Sequence, residues 1–279
     1  MPRNGTNPNK TQPAEKEFGK LVLTCVTHLP NLEDYHAERL EVVQACLRSM
    51  RAGAHAGHTM IVWDNGSCAD LRDWLQFDFK PDALVLSVNV GKTAARTALI
   101  RMCHPKAIVG YADDDMLFYD NWLAPQMELL QHFPNVASVT GYPVRTSFRW
   151  GCGNTIAWAR KHGELEIGRF LPQEWEDDFA VSIGRDVDWH KDYTREDLDY
   201  RVTYKGRQAY CTSHHCQFIG RAEIIGRVLQ YDGLAMGDEK VFDRALDSIG
   251  LRLATTQRLS RHIGNVMDEK LKSEILMLA

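Results

Sequence analysis

The sequence predicts an α/β chain with a mostly parallel central sheet and helices on both faces. Three observations predict it. Short β-rich runs alternate with helical periods from Leu21 to His132, turn-forming segments separate them, and polar residues gather where the runs end.

Taken in order, Leu21 to Thr27 is a β-rich run, and His28-Leu29-Pro30-Asn31 is a loop. Residues 35–52 place Leu40, Val43 and Leu47 at helical spacing among charges. Met60 to Trp63 is a second strand, closed by Asp64-Asn65-Gly66-Ser67. A short helix over Asp70 to Leu75 leads to a third strand, Ala83 to Ser87. The loop Asn89-Val90-Gly91-Lys92 opens a helix over Thr93 to Cys103. A fourth strand ends at the acid run 113–115, and a helix follows near Trp122–His132. Ligands of such sheets bind outside the carboxyl ends of the strands, where Asp64, Gly91 and Asp113 to Asp115 fall.

The run Ile108-Val109-Gly110-Tyr111-Ala112 delivers three consecutive carboxylates, Asp113, Asp114 and Asp115, to one point. Like charges this close repel, more so where water is scarce. Divalent Mg²⁺ or Mn²⁺ with oxygen ligands relieves that repulsion and commonly grips a substrate phosphate as well. The alternative is a helix starting near Met116, with an acid capping its first N–H groups.

Gly91-Lys92-Thr93 imitates the end of a phosphate-binding P-loop. That motif needs a glycine five residues before Gly91, and Leu86 stands there, so the reading fails. What remains is a glycine turn into a helix N-terminus with Lys92 and Arg96 beside it, either an anion site or a solvated first turn.

From Tyr142 the pattern turns irregular. Residues 145–216 mix aromatics such as Trp150, Trp175 and Trp189 with acid clusters at 174–178 and 186–188. Aromatic faces suit sugar stacking, but packing against the main sheet is the preferred reading for most of them. A helix near Ala222–Leu229 follows, Gly237-Asp238-Glu239 opens another, and Leu253 to Thr255 is a last strand before His262.

The formal net charge of −4 over 279 residues offers no basic footprint for nucleic acid. Seven cysteines are scattered without a Cys-x-x-Cys pair, which argues against a disulfide framework or a zinc ribbon. His214-His215-Cys216 is a candidate soft-metal cluster, disfavoured because neighbours on a strand point to opposite faces. No apolar run reaches transmembrane length and no signal-peptide core is present, so a soluble cytoplasmic enzyme is expected, with peripheral membrane contact left open. Residues 1–18 read as a disordered tail, and 271–279 as a C-terminal tail.

Five short motifs carry a resemblance: Asp64-Asn65-Gly66-Ser67, Asn89-x-Gly91 with Ala95-Arg96, Asp113-x-Asp115, Gly237-Asp238-Glu239 and His262-x-Gly264. In this order, the chain resembles nucleotide-sugar glycosyltransferases of the Rossmann-like GT-A fold, family 2 above all. Order and spacing agree over about 20–142 and 217–265.

The resemblance implies a donor-binding lobe over 19–142 and an acceptor-binding, catalytic lobe over 143–270. It implies transfer of a sugar, of hexosyl type, from a UDP- or GDP-sugar to an acceptor hydroxyl, with inversion, assisted by Mn²⁺ or Mg²⁺. Thr27, Asp64, Gly91, Lys92, Arg96, Asp113 and Asp114 would contact the donor. Asp113, Asp115 and His262 would hold the metal. Glu239 or Asp238 would be the general base, unless both merely cap their helix. A nucleotidyltransferase of the same fold usually has a Gly-rich basic segment after its first strand, where this chain has Thr27-His28-Leu29-Pro30. A non-catalytic sugar-binding protein is the other alternative.

Overall fold

The computed structural model describes residues 5–6, 20–229 and 239–278. The expected tail over 1–18 lies outside them except for Gly5 and Thr6, and so do Gly237 and Asp238.

In chain order the elements are β1 (Leu21–Thr27), α1 (Arg39–Ala52), β2 (Thr59–Asn65), α2 (Ala69–Asp73), β3 (Ala83–Ser87), α3 (Lys92–Met102), β4 (Ile108–Asp113), β5 (Met116–Phe118), α4 (Leu123–His132) and β6 (Val136–Thr140). There follow α5 (Gly153–His162), β7 (Glu164–Gly168), α6 (Gln173–Ser182), α7 (Val187–Tyr193), β8 (Asp199–Tyr204), β9 (Arg207–Tyr210), β10 (Gln217–Arg221), α8 (Ala222–Ile225), α9 (Glu239–Ile249), β11 (Leu251–Ala254), β12 (Ser260–His262) and α10 (Glu269–Leu278). Ten strands form one sheet in the order β3-β2-β1-β4-β10-β6-β11-β9-β8-β7, and β5 pairs with β12 in a second, two-stranded sheet.

The first four strands of that order are parallel, joined by helical crossovers. β10 enters antiparallel between β4 and β6, and β6 and β11 are again parallel. Residues alternate between the two faces of β1. Leu23 and Cys25 join one core with Val43, Leu47 and Met50 of α1, while Val22 and Val26 join another with Ala95, Leu99 and Ile100 of α3. The sheet is therefore covered on both sides, as expected of buried parallel strands.

Three local expectations change. Met116 does not start a helix: it begins β5, whose pairing partner β12 lies far along the chain. The segment without a clear pattern folds as α5 to β9, and its strands β7, β8 and β9 extend the main sheet by antiparallel pairing. The C-terminal segment is helix α10 rather than a tail, anchored by Leu271, which packs with Val42, Leu117 and Ile263. An apolar anchor every turn or so is too sparse to stand out in a ten-residue window, which is why the sequence reads as tail there.

Candidate active site

The carboxyl ends of β1, β2 and β4 open onto a cavity of about 450 Å³. Its wall includes His28, Arg39, Asn65, Lys92, Asp113, Asp114, Asp115 and Glu239. Each arrives by its place in the fold. β4 ends at Asp113, the turn after it carries Asp114 and Asp115, α1 begins with Arg39, α3 with Lys92 and α9 with Glu239. Gly91 precedes α3 at φ 86°, a conformation that side-chain-bearing residues rarely adopt, and this lets the chain turn sharply from the sheet edge into the helix.

All four carboxylates meet cations of the chain itself. Lys92 Nζ lies 2.7 Å from Asp113 Oδ2 and 3.5 Å from Glu239 Oε1. Tyr111 donates its hydroxyl to the other oxygen of Asp113 at 2.8 Å. Arg39 reaches Asp114 at 2.6 Å and Asp115 at 3.3 Å, and the backbone N–H of His28 donates to Asp114 at 3.1 Å. Burial raises the carboxyl pKa of Asp114, with Arg39 opposing. For Glu239 the balance falls the other way: burial pushes its pKa up, but Lys92 holds it below the ordinary value.

Asp115 and His262 are joined through the second sheet. Antiparallel pairing sets His262 opposite Met116, and Ile263 N–H donates to Asp115 O at 2.9 Å. His262 Nε2 is then 3.3 Å from Asp115 Oδ2. Its Nδ1 lies 2.9 Å from Ser182 Oγ, whose own proton goes to Phe179 O at 2.8 Å. The Ser182 oxygen must therefore accept from Nδ1–H, so Nε2 is the nitrogen that faces Asp115. Burial lowers the His262 pKa, but the adjacent Asp115 carboxylate outweighs it and raises the pKa above the ordinary value. Burial likewise raises the pKa of Asp115, and His262 with Arg39 brings it well below the usual carboxylate range.

The donor set suits a divalent ion. Asp115 Oδ1 is buried and has no hydrogen-bond partner among the described residues. One unpartnered carboxylate oxygen, together with an imidazole whose far nitrogen is fixed by a hydroxyl, is the ligand and support pattern of a transition-metal site. An ion there would take the place of the His262 proton.

Residues 35–194 match glycosyl transferase family 2, more than half of the chain. The chain belongs to glycosyl transferase family 2. The match takes in α5 to α7, a stretch whose sequence carries no recognisable motif.

Among solved structures, this family 2 chain is similar to S. aureus TarS 1–349 in complex with UDP, at a TM-score of 0.51 and 10% identity over 93% of this chain and 64% of that one. That likeness gives the GT-A fold. It is also similar to the mannosyltransferase PcManGT from Pyrobaculum calidifontis in complex with GDP-Man and Mn²⁺ (TM-score 0.34, 18% identity, 47% of this chain and 37% of that one). A third likeness is to GalNAc-T7 with UDP, GalNAc and Mn²⁺ (TM-score 0.47, 11% identity, 88% of this chain and 44% of that one). The chain spans less than two thirds of the length of each of these structures. No curated protein matches it.

Within the family 2 fold, the residues singled out from sequence fall into three groups. Gly91, Lys92, Asp113, Asp114, Asp115 and Glu239 surround the cavity, and His262 closes on Asp115 from behind. Thr27 and Asp64 sit side by side in register at the ends of β1 and β2, fully buried, and Asn65 rather than Asp64 lines the cavity. Arg72 Nε pairs with Asp64 Oδ2 at 2.9 Å, while Asp64 Oδ1 and Thr27 Oγ1 have no hydrogen-bond partner among the described residues.

Arg96 is brought to none of these. It is buried, with its guanidinium 4.5 Å from the ring centre of Phe242 and 5.6 Å from that of Tyr111, outside the cavity wall. The helical period explains this: Arg96 lies four residues beyond Lys92, one turn deeper into the protein.

Arg39, Tyr111 and Ser182 are functional neighbours that the sequence motifs do not single out. Arg39 carried no signal beyond being a charge at a helix start. Tyr111 was legible in principle, because side chains two apart on a strand share a face and Tyr111 and Asp113 do so.

Proposed function

We propose that the chain is a metal-dependent glycosyltransferase that moves a sugar, of hexosyl type, from a nucleoside-diphosphate sugar to an acceptor hydroxyl with inversion at the anomeric carbon. The observation that carries this reading is the meeting of Asp115 and His262, 147 residues apart in the chain, at a cavity walled by Lys92, Asp113 and Glu239. Residues 19–142 would form the donor lobe and 143–270 the acceptor side.

In this reading Asn65 and Asn89 of the cavity wall lie beside the nucleoside, and the buried Thr27 and Asp64 support that end of the site from behind. Gly91 lets the diphosphate approach the first turn of α3, and Lys92 supplies a positive charge there. Asp113, Asp115 and His262 would hold Mn²⁺ or Mg²⁺. The ion, when bound, neutralises charge gathering on the departing nucleoside diphosphate. Asp114 keeps Arg39 in place at 2.6 Å.

Glu239, or Asp238 from outside the described residues, would accept the proton of the acceptor hydroxyl. The freed oxygen bonds to the anomeric carbon from the face opposite the diphosphate, which leaves with the electron pair of the broken C–O bond. Lys92 links this base to the donor acids, since it contacts both Asp113 and Glu239.

No helix among the described residues is long and apolar enough to cross a membrane. A cytoplasmic enzyme acting on a soluble or peripherally presented acceptor is the corresponding proposal.

The deciding experiment is a thermal-shift panel of UDP, GDP, CDP and dTDP, each with and without Mn²⁺, on the parent protein and Asp115→Ala. Ligands that bind only the folded state raise the melting temperature. A metal-dependent rise with one diphosphate, absent in the variant, supports the reading and names the donor base. No rise with any of the four sinks it.

A further inference from the structure

The turn between β9 and β10 carries His214, His215 and Cys216. An isolated bridge between His214 and Gln217 closes this turn, so the three side chains do not alternate as they would along a strand. The turn therefore brings the three side chains together despite their adjacency in sequence. One ligand atom from each residue, a ring nitrogen of each histidine and the sulfur of Cys216, lies within 4.8 Å of the other two.

We propose that His214, His215 and Cys216 form a second cation site, for zinc or an ion of the same borderline-soft class. Two imidazoles and a thiolate are ligands that zinc prefers, whereas the carboxylate-rich Asp113 and Asp115 suit Mn²⁺ or Mg²⁺. Tetrahedral zinc sets its nitrogen and sulfur ligands roughly 3.3–3.7 Å apart. The 4.8 Å limit exceeds that spacing by about 1–1.5 Å, so the ligand atoms would close by no more than that on an ion.

The surroundings support the ligand role. Nδ1 of His215 donates to Asp243 Oδ2 at 2.9 Å, and Arg252 holds the other oxygen of that carboxylate. This carboxylate–imidazole pairing leaves Nε2 of His215 as the ligating nitrogen and fixes its direction, as supporting carboxylates do around zinc. The rings of His214 and His215 stack with centres 4.5 Å apart, so they are presented together. The Cys216 carbonyl accepts from Asp113 N–H at 2.8 Å, so an ion on this turn would also stiffen the start of the acid run. Three protein ligands leave a fourth position open.

The test uses metal-stripped full-length protein titrated with Co²⁺ alone, with no nucleotide or acceptor present. The expected result is a thiolate-to-cobalt charge-transfer band in the near ultraviolet that saturates at one ion per chain. Zn²⁺ should abolish it by displacement, since zinc binds such ligands more tightly than cobalt. Cys216→Ser should remove the band, and Asp243→Asn should weaken Co²⁺ binding by about 10- to 100-fold. Asp115→Ala should leave the band intact.

Circular dichroism and melting of the metal-free variants establish that they are folded. If Cys216→Ser fails to fold, His215→Gln, which changes a half-buried side chain, is expected to weaken the band in its place. No band in the parent protein, or a band that persists in folded Cys216→Ser, overturns the proposal. Because no donor or acceptor is present, failure of the glycosyl-transfer reading leaves this result untouched.

Discussion

Arg39 and Asp114 form a nearly buried ion pair at 2.6 Å, and the same guanidinium touches Asp115 at 3.3 Å. One side chain at the start of α1 thus balances two of the three consecutive acids. Removing one partner of a buried pair leaves the other charged and unsolvated. Arg39→Ala should therefore destabilise the protein by about 3–5 kcal/mol in urea denaturation. Adding Asp114→Asn to that variant should recover part of the loss. A change below about 1 kcal/mol would mean that water reaches these acids freely.

Ser182 directs His262 through a 2.9 Å bond to Nδ1. In the metal reading, His262→Ala and Asp115→Ala should both abolish the Mn²⁺-dependent part of diphosphate binding. Ser182→Ala keeps all the ligands and should weaken Mn²⁺ binding by roughly 10- to 100-fold, as supporting residues do. Calorimetric titration of Mn²⁺ in the presence of the diphosphate measures this. Unchanged affinity in Ser182→Ala would remove the serine from the site.

Glu239→Gln keeps the shape of the side chain and removes its basicity. Transfer to acceptor should fall by about 10²–10⁴-fold while donor affinity changes little. The same measurement on Asp238→Asn distinguishes the two acids. If both variants turn over normally, neither is the base.

Gly91 needs no Gly for space, since a Cβ there would meet nothing within 4 Å, but its φ is 86°. Gly91→Ala should therefore be a pure backbone effect of roughly 1–3 kcal/mol. It should weaken diphosphate binding as well, because the turn positions the start of α3. Unaltered stability would show that this turn tolerates an L side chain.

Asp178 ties α6 to the C-terminal helix, 2.8 Å from Arg258 and 2.9 Å from Lys270. Burial raises its pKa, but Lys270 and Arg258 bring it below the ordinary carboxylate value. A depressed folded-state pKa stabilises the fold above the unfolded value, near ~3.9, and that contribution is lost as pH falls through the folded value. Asp178→Asn should thus cost roughly 0.5–1 kcal/mol at neutral pH, after allowance for solvent screening. The difference from the parent should shrink towards zero in strong acid. A difference that stays constant with pH would assign the loss to packing instead.

Much of the donor side was legible in the sequence because local chemistry repeats there. The strands β1 to β4 announce themselves by β-branched apolar runs, and the acids and Gly91 fall at their ends for the topological reason that parallel strands share one direction. Arg96 shows the limit. The motif placed it near a phosphate, yet one helical turn carries it beneath Phe242. Residues 145–216 show another limit, since their strands pair with the sheet edge and with each other rather than repeating a strand–helix unit.

What the sequence determined by itself is the class of the fold, the order of its first four strands and the gathering of acids at their carboxyl ends. These follow from period and turn chemistry, which act over a few residues. Only the tertiary structure decided that Arg39 balances Asp114, that Ser182 selects the His262 nitrogen facing Asp115, and that the turn at His214 brings three ligand atoms together. The first two relations depend on how a helix packs beside a strand or turn distant in sequence, and the third on a reversal of the chain. Spacing along a single chain carries no record of such packing.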